Sequence, residues 1–366
     1  MKIECVKEKM VKALAKAEKI TSKNPTLPVL SCLHVKTYNG ELVISATNLD
    51  LGIEIVVPVK VAEEGTVAVP AQIFSQFISS LFNDKNITLQ SEGNNIKVIA
   101  DHTQATIKTL PADDFPSLPK VASENSFVVS AQDFIKGLKS VYYAGSSSTI
   151  KPTLSSVCVY PDEDFLVFAA TDSFRLAEKR IKVKKHLEFG QILIPLKNIP
   201  EIIRVFEDVN DDIAISVDKN QISFHYDTIY LTSRVIDGVF PDYKQIIPKE
   251  PKTEATVLKF DLVNTLKTSN IFADKFSQIY VAASEKPKMF EIKTKNNDVG
   301  ENISHLDAVV KGESVSMSFN YKYIVDCFQS IESDSLTMYF VDNTRAMVVK
   351  GNTDKSFLYL VMPMNK

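Results

Sequence analysis

The sequence predicts an α+β protein built as three similar domains, each with two helices against antiparallel sheet. Three observations carry this. Four apolar positions of one helix, Phe74, Phe77, Ile78 and Leu81, return as Ile199, Ile202, Ile203 and Phe206, and again as Ile324, Cys327, Phe328 and Ile331, in steps of 125 residues. An earlier helical pair recurs as Met10 and Leu14, Phe134 and Leu138, Leu262 and Leu266. Each later helix is followed by two runs with the two-residue period of half-buried strands. A period this long is a whole small domain used three times, since solenoid repeats span only about 20 to 50 residues.

In chain order, the first helix carries Val6, Met10, Ala13, Leu14 and Ala17 on one side and Lys9, Lys12, Lys16, Lys19 and Lys23 on the other. That spacing predicts an amphipathic helix with a basic stripe. The helix around Phe74 leads into strands with Ile87 and Leu89, then Ile96 and Val98, joined through Ser91-Glu92-Gly93-Asn94-Asn95. The second copy repeats this with Ile213 and Ile215, Asp218-Lys219-Asn220, then Ile222 and Phe224; Ser130 is placed to cap its first helix. The third copy has Leu336 and Met338, Asp342-Asn343-Thr344, then Met347 and Val349. Breaks near Lys120 to Glu124 and Pro248 to Thr253 follow Phe115-Pro116-Ser117-Leu118-Pro119 and Phe240-Pro241-Asp242-Tyr243, dividing the chain into 1–121, 122–250 and 251–366.

Composition narrows the function. At 366 residues, 45% hydrophobic and 24% charged, each domain can bury a core. No run of about 18 apolar residues and no apolar leader follow Met1-Lys2-Ile3-Glu4, so a soluble, cytoplasmic protein without a membrane partner is expected. Cys5, Cys32, Cys158 and Cys327 form no C-x-x-C pair and read as small buried apolar residues, not zinc ligands. His34, His102, His186, His225 and His305 lie far apart, and nucleotide-binding, hydrolase and metalloprotease motifs are absent. Asp113-Asp114 and Asp211-Asp212 read as solvated loop carboxylates. No catalytic residue, metal or cofactor is expected.

Charge is informative by position. The net value of -3 gives no general attraction for nucleic acid. Yet Lys136 and Lys139, Lys267 and Lys275, Lys197 and Arg204, and Lys322 place cations on helices equivalent to those of the first copy. Any single basic face is explained by solvation; its repetition in three domains points to a shared positive surface, with acidic residues segregated elsewhere.

Five strings in order, Thr26-Leu27-Pro28-Val29-Leu30, Ala46-Thr47-Asn48-Leu49-Asp50, Thr171-Asp172-Ser173-Phe174-Arg175-Leu176-Ala177, Phe240-Pro241-Asp242-Tyr243 and Val361-Met362-Pro363-Met364, resemble the bacterial DNA polymerase III β subunit, or sliding clamp, family over the full length. The resemblance implies a head-to-tail homodimeric ring of six domains around double-stranded DNA, bound without regard to sequence. It implies DNA contacts from Lys12, Lys16, Lys23, Asn24, Lys136, Lys139, Lys197, Arg204 and Lys267. Lys23-Asn24 stands where such clamps commonly present an Arg, which would pass that contact to Lys23. It also implies a groove between the second and third domains for short peptides of the replicative polymerase, the clamp loader and other clamp-binding proteins. Carried over by motif, the groove comprises Leu154, Thr171, Arg175, Leu176, Pro241, Ile246, Thr344, Ala346, Leu360, Val361, Met362, Pro363 and Met364. Taken alone, Met362-Pro363-Met364 also reads as a tail closing the last strand, and Arg175 as a structural ion pair with Asp172 or another carboxylate. The seam of the ring would join Ile271 and Phe272 to Ala105 and Ile107. Two rivals stay open: an enzyme using Asp172, Arg175 and nearby acids, and a triplicated interaction scaffold without DNA.

Overall fold

The computed structural model describes residues 1–22, 26–82, 84–122, 126–184 and 187–364. Lys23, Asn24, His186 and the boundary residue Glu124 lie outside the described residues. Six α-helices occur among them: α1 (Lys7–Ala17), α2 (Ala71–Ser80), α3 (Ala131–Val141), α4 (Ile199–Phe206), α5 (Lys259–Asn270) and α6 (Tyr321–Asp326). They fall in pairs, one pair per repeat. The apolar positions that announced the repeat are buried in all three copies, apart from the half-buried Phe77. One expectation fails at the first helix. Val6 ends the strand Lys2–Val6, where side chains alternate, so it faces outward at 43% exposure instead of joining Met10 and Leu14.

The predicted hairpins form with equivalent register. Leu89 lies opposite Val98, Ile215 opposite Phe224, and Met338 opposite Val349, each pair buried. Their turns use the expected chemistry: Asp218 Oδ1 accepts from the Asn220 and Gln221 amides, and Gly93 takes a left-handed φ of 55°.

The chain divides into two compact units, Met1–Gln132 with Lys197–Val235, and Asp133–Leu196 with Ile236–Lys366. The first unit contains a five-stranded sheet (60–63, 2–6, 86–92, 95–99, 104–108) and an eight-stranded one (126–130, 212–217, 221–226, 229–234, 51–58, 41–47, 32–38, 66–70). The second contains a nine-stranded sheet (192–195, 156–162, 165–171, 175–182, 357–361, 347–351, 335–340, 253–258, 308–312) and a four-stranded one (300–305, 289–296, 278–284, 315–320). All pairings are antiparallel, and the sheets obey one rule. The last strand of the second copy, Ile229–Arg234, joins Leu51–Pro58 of the first; the last strand of the third, Phe357–Val361, joins Arg175–Lys182 of the second. Each large sheet is therefore two half-sheets from consecutive copies. The corresponding strand of the first copy, Gln104–Lys108, and the corresponding third-copy strand, Gly300–His305, are both sheet edges.

Candidate functional site

The residues expected to form a groove lie in the second unit, around the hairpin Phe165–Thr171/Arg175–Lys182. Its turn is built by side chains. Thr171 Oγ1 donates to the Arg175 carbonyl (2.7 Å) and accepts from the Ser173 amide (3.2 Å), while Asp172 Oδ1 accepts from the Phe174 and Arg175 amides (2.9 Å each). The first copy folds Thr47-Asn48-Leu49-Asp50-Leu51 identically: Thr47 Oγ1 donates to the Leu51 carbonyl, and Asn48 Oδ1 accepts from Asp50 and Leu51. Leu49 and Ser173 carry the left-handed φ at the same step, 76° and 77°. Two of the strings singled out in the sequence are thus one turn used twice.

Strand pairing sets Arg175 opposite Val361 and Leu176 opposite Leu360. Beyond the strand, the Met362 amide donates to the Phe174 carbonyl and the Met364 amide to the Ser318 carbonyl, both at 2.8 Å. The tail is therefore fastened to the sheet, as the strand-closing reading of Met362-Pro363-Met364 requires. Leu176, Leu360 and Ala346 share an apolar cluster with Phe240 and Tyr243, and Met362 packs on its margin. Leu154, Thr171 and Val361 are also buried, whereas Pro241, Ile246 and Thr344 are exposed. Ile246, Thr344, Ala346 and Met362 line one cleft of about 1020 Å³; the remaining expected groove residues do not line that cleft.

Arg175 is engaged from several sides. Its Nε donates to Asp172 Oδ2 (3.0 Å), its Nη1 to Asp326, and its guanidinium lies 4.6 Å from the Tyr323 ring centre. Burial works against its charge, but Tyr359, Asp326 and Asp172 outweigh that and hold it protonated. Tyr323 and Asp326 escape sequence reasoning, since nothing local links them to a residue some 150 positions earlier. Phe174, within the string Thr171–Ala177, is 60% exposed and its carbonyl accepts from the Met362 amide.

Below this surface a polar network holds the turn that carries Pro241 and Ile246. The Tyr243 hydroxyl donates to Glu178 Oε2 (2.5 Å) and meets the Tyr160 hydroxyl at 2.7 Å. Asp162 accepts from Arg180 (2.9 Å) and Lys244 (3.2 Å). Burial opposes the Asp162 charge, yet these two cations prevail and lower its pKa. In the first unit the preceding connector is fastened similarly: Lys120 pairs with Glu54, Tyr230 donates to the Pro119 carbonyl (3.0 Å), and His34 stacks on Phe115 at 4.8 Å.

The expected cations separate by partner. In the first unit Lys12 pairs with Glu8 (2.7 Å), Lys197 with Asp50 (2.5 Å) and Arg204 with Glu201 (2.5 Å). Lys16 differs: its Nζ donates to the Val205 carbonyl in α4, and burial lowers its pKa against Asp208 and Glu207. Lys9, Lys12 and Lys16 line a cavity of about 360 Å³ with Ile55–Pro58 and Asp227–Ile229. In the second unit Lys136 pairs with Glu332 (2.7 Å), and Lys139 and Lys267 are exposed. Other lysines close helices. Lys7 donates to the Leu81 carbonyl (2.7 Å) and Lys259 to the Ile331 carbonyl (2.6 Å), filling the acceptors that a helix end leaves open; Gln132 does the same for Glu207 and Val209.

At the expected seam, Ala105 and Ile107 lie on the edge strand Gln104–Lys108, Ile107 turned inward and Ala105 half-buried. Ile271 follows α5 at 70% exposure, with Phe272 half-buried beside it. All four cysteines are buried, and burial pushes the Cys5 and Cys158 thiols up to about 12. Among the described residues no group of His, Cys, Asp and Glu is arranged to hold a metal, and no helix is long and apolar enough to cross a membrane.

Three family models match in sequence: DNA polymerase III beta subunit, N-terminal domain at residues 1–119, central domain at 128–242, and C-terminal domain at 244–365. A beta sliding clamp of Synechococcus elongatus is 27% identical over 372 residues, covering 100% of this chain and 99% of that one. The beta sliding clamp of Escherichia coli K12 is 26% identical over 371 residues, covering both chains fully. Among solved structures, the DNA polymerase III beta subunit of Thermotoga maritima superposes with a TM-score of 0.94 at 26% identity, covering 100% of this chain and 99% of that one.

Proposed function

The chain belongs to the DNA polymerase III beta subunit family, and from that membership we infer that it is a sliding clamp: a processivity factor that encircles duplex DNA and tethers the replicative polymerase. One structural observation carries the ring. The rule that joins the first copy to the second, and the second to the third, is left unused at Gln104–Lys108 and Gly300–His305. Unpaired edges are templates for further pairing. Two chains meeting head to tail would satisfy both edges twice, extending each five-stranded half by a four-stranded one and closing a six-domain ring. Ile271, Phe272, Ala105 and Ile107 would then form the seam, and 1–121, 122–250 and 251–366 the domains.

The helices' cations would face the phosphates within such a ring. Exposed ion pairs such as Lys12–Glu8 are weak because water screens them, so a passing phosphate can displace the carboxylate at little cost. Weak, exchangeable contacts suit sliding, and phosphate contacts carry no base sequence. The groove around Leu176, Val361 and Met362 would take short segments of the polymerase, the clamp loader and other clamp-binding proteins, in the cytoplasm where bacterial DNA is replicated. The clamp family is one of non-catalytic processivity factors, and it does not favour a scaffold without DNA. Electron microscopy of the purified protein tests the assembly: two-chain rings with a central hole are expected, and single closed particles without a hole would count against it.

A further inference from the structure

We propose that the cleft leading away from the groove past Met362 receives an acidic flank of the partner segment whose apolar anchors sit in the groove. The proposal rests on the groove reading above and adds the chemistry of the neighbouring residues. The cleft has one wall in the connector Gln245–Lys252 and the other in the turn Val341–Arg345, with Ala346 and Met362 shared with the groove. Its volume, about 1020 Å³, lies at the upper end for ligand sites, room for more than the anchors themselves. Pro248 and Pro251 fix the backbone of the connector wall, so little ordering is needed when a segment enters.

The lining charges are Lys249, Lys252 and Arg345 against Glu250 and Asp342. Asp342 is already committed to its own turn. It accepts from the Thr344 hydroxyl (2.6 Å), the Thr344 amide (2.9 Å) and the Arg345 amide (3.0 Å), and these bonds, the hydroxyl first, lower its pKa. Arg345 Nε lies 3.6 Å from the same carboxylate, and Lys252 lies 3.8 Å from Glu313, both at the loose end of ion pairing. Lys249 forms no ion pair among the described residues. Glu250 on the same wall offsets one cation, so three cations against two carboxylates leave the lining one net positive charge, beside Ile246, whose 53% exposure gives the apolar part of a segment its footing. A partner that fills the groove with aliphatic or aromatic residues and continues with Asp or Glu meets both; one continuing with Lys or Arg meets repulsion.

Anisotropy titrations of the purified protein with three labelled peptides test this. The peptides share one apolar core and carry two Glu, two Ser or two Lys beside it, on either end. The Glu-flanked peptide should bind about threefold to tenfold tighter than the Ser-flanked one at low salt, with the gap closing as salt rises. In Lys249→Glu, and in the Lys249→Glu/Lys252→Glu double variant, the Glu advantage should vanish while the Ser-flanked peptide binds as before. Lys249→Glu alone alters an exposed side chain, so a folding defect in the double variant would leave the test intact. Equal binding of all three peptides, or a Glu advantage that persists in Lys249→Glu, overturns the proposal. The groove reading fails separately, if the Ser-flanked peptide is indifferent to Met362→Ala.

Discussion

Leu231 stands opposite Ile53 across the junction of the first and second copies, and both are buried in the seam they make. Ala177 and Tyr359 occupy the equivalent places at the second junction. Assembly should repeat this design between chains. Light scattering should give twice the 40.8 kDa chain mass at micromolar concentration. Because Ile271 is exposed in the single chain, Ile271→Asp should yield folded monomers with little loss of melting temperature; a dimer unaffected by it would move the seam elsewhere.

The channel reading predicts a charge effect separable from folding. Replacing Lys12, Lys197 and Arg204 together with Glu should weaken loading on DNA and flatten its salt dependence, each lost phosphate contact reducing the slope by roughly one. Melting should fall only modestly, since the pairs lost with Glu8, Asp50 and Glu201 are surface pairs. Normal loading at every salt concentration would make these faces merely solubilising. Lys16 is left out of this variant because its ammonium is tied to the Val205 carbonyl.

Groove affinity should concentrate in a few apolar contacts. Met362→Ala should cost on the order of 1 to 3 kcal/mol in binding a polymerase tail peptide, the range of a hot-spot truncation. The amide that donates to Phe174 survives this change, so the tail should stay fastened and the dimer intact. Unchanged affinity in the folded variant would leave the tail with only its strand-closing role.

Much of this arrangement was legible in the sequence, for stated physical reasons. Helix and hairpin periods are local, so Phe74, Ile199 and Ile324 announced three buried helices, and Leu89, Ile215 and Met338 their strands. Val6 was misjudged because helix spacing continued one residue into a strand. No local pattern separates Lys7, Lys16 and Lys259 from the other lysines; only the fold brings carbonyls of distant helix ends to their ammonium groups. Asp326 was invisible as the partner of Arg175 for the same reason, although an ion pair at Arg175 was anticipated through Asp172. The sharing of sheets between copies also lay beyond local pattern, since strand order is a long-range property.

Acid should loosen the second unit. Lys179 is almost wholly buried and its Nζ meets Asp354 Oδ2 at 2.9 Å. Burial opposes the Asp354 charge, but Ser356 and Lys179 prevail and lower its pKa, as Lys244 and Arg180 do for Asp162. A carboxylate with a lowered folded pKa contributes stability that is full above its unfolded pKa, near 4, and is lost as pH falls through the folded value. Unfolding followed by circular dichroism should therefore show stability declining below about pH 4. Asp354→Ala should remove about 3 kcal/mol at neutral pH by stranding a buried ammonium, and should blunt that decline; a variant as stable as the parent would contradict the pairing.

The central claim is that the protein holds DNA by topology. The most direct measurement is retention on a circular plasmid after loading, before and after a single cut. A ring should stay on the closed circle through washing at high salt and run off once the circle is linearised, because only the linear molecule has ends to slide over. Equal loss from circular and linear DNA, or equal retention on both, would contradict encirclement.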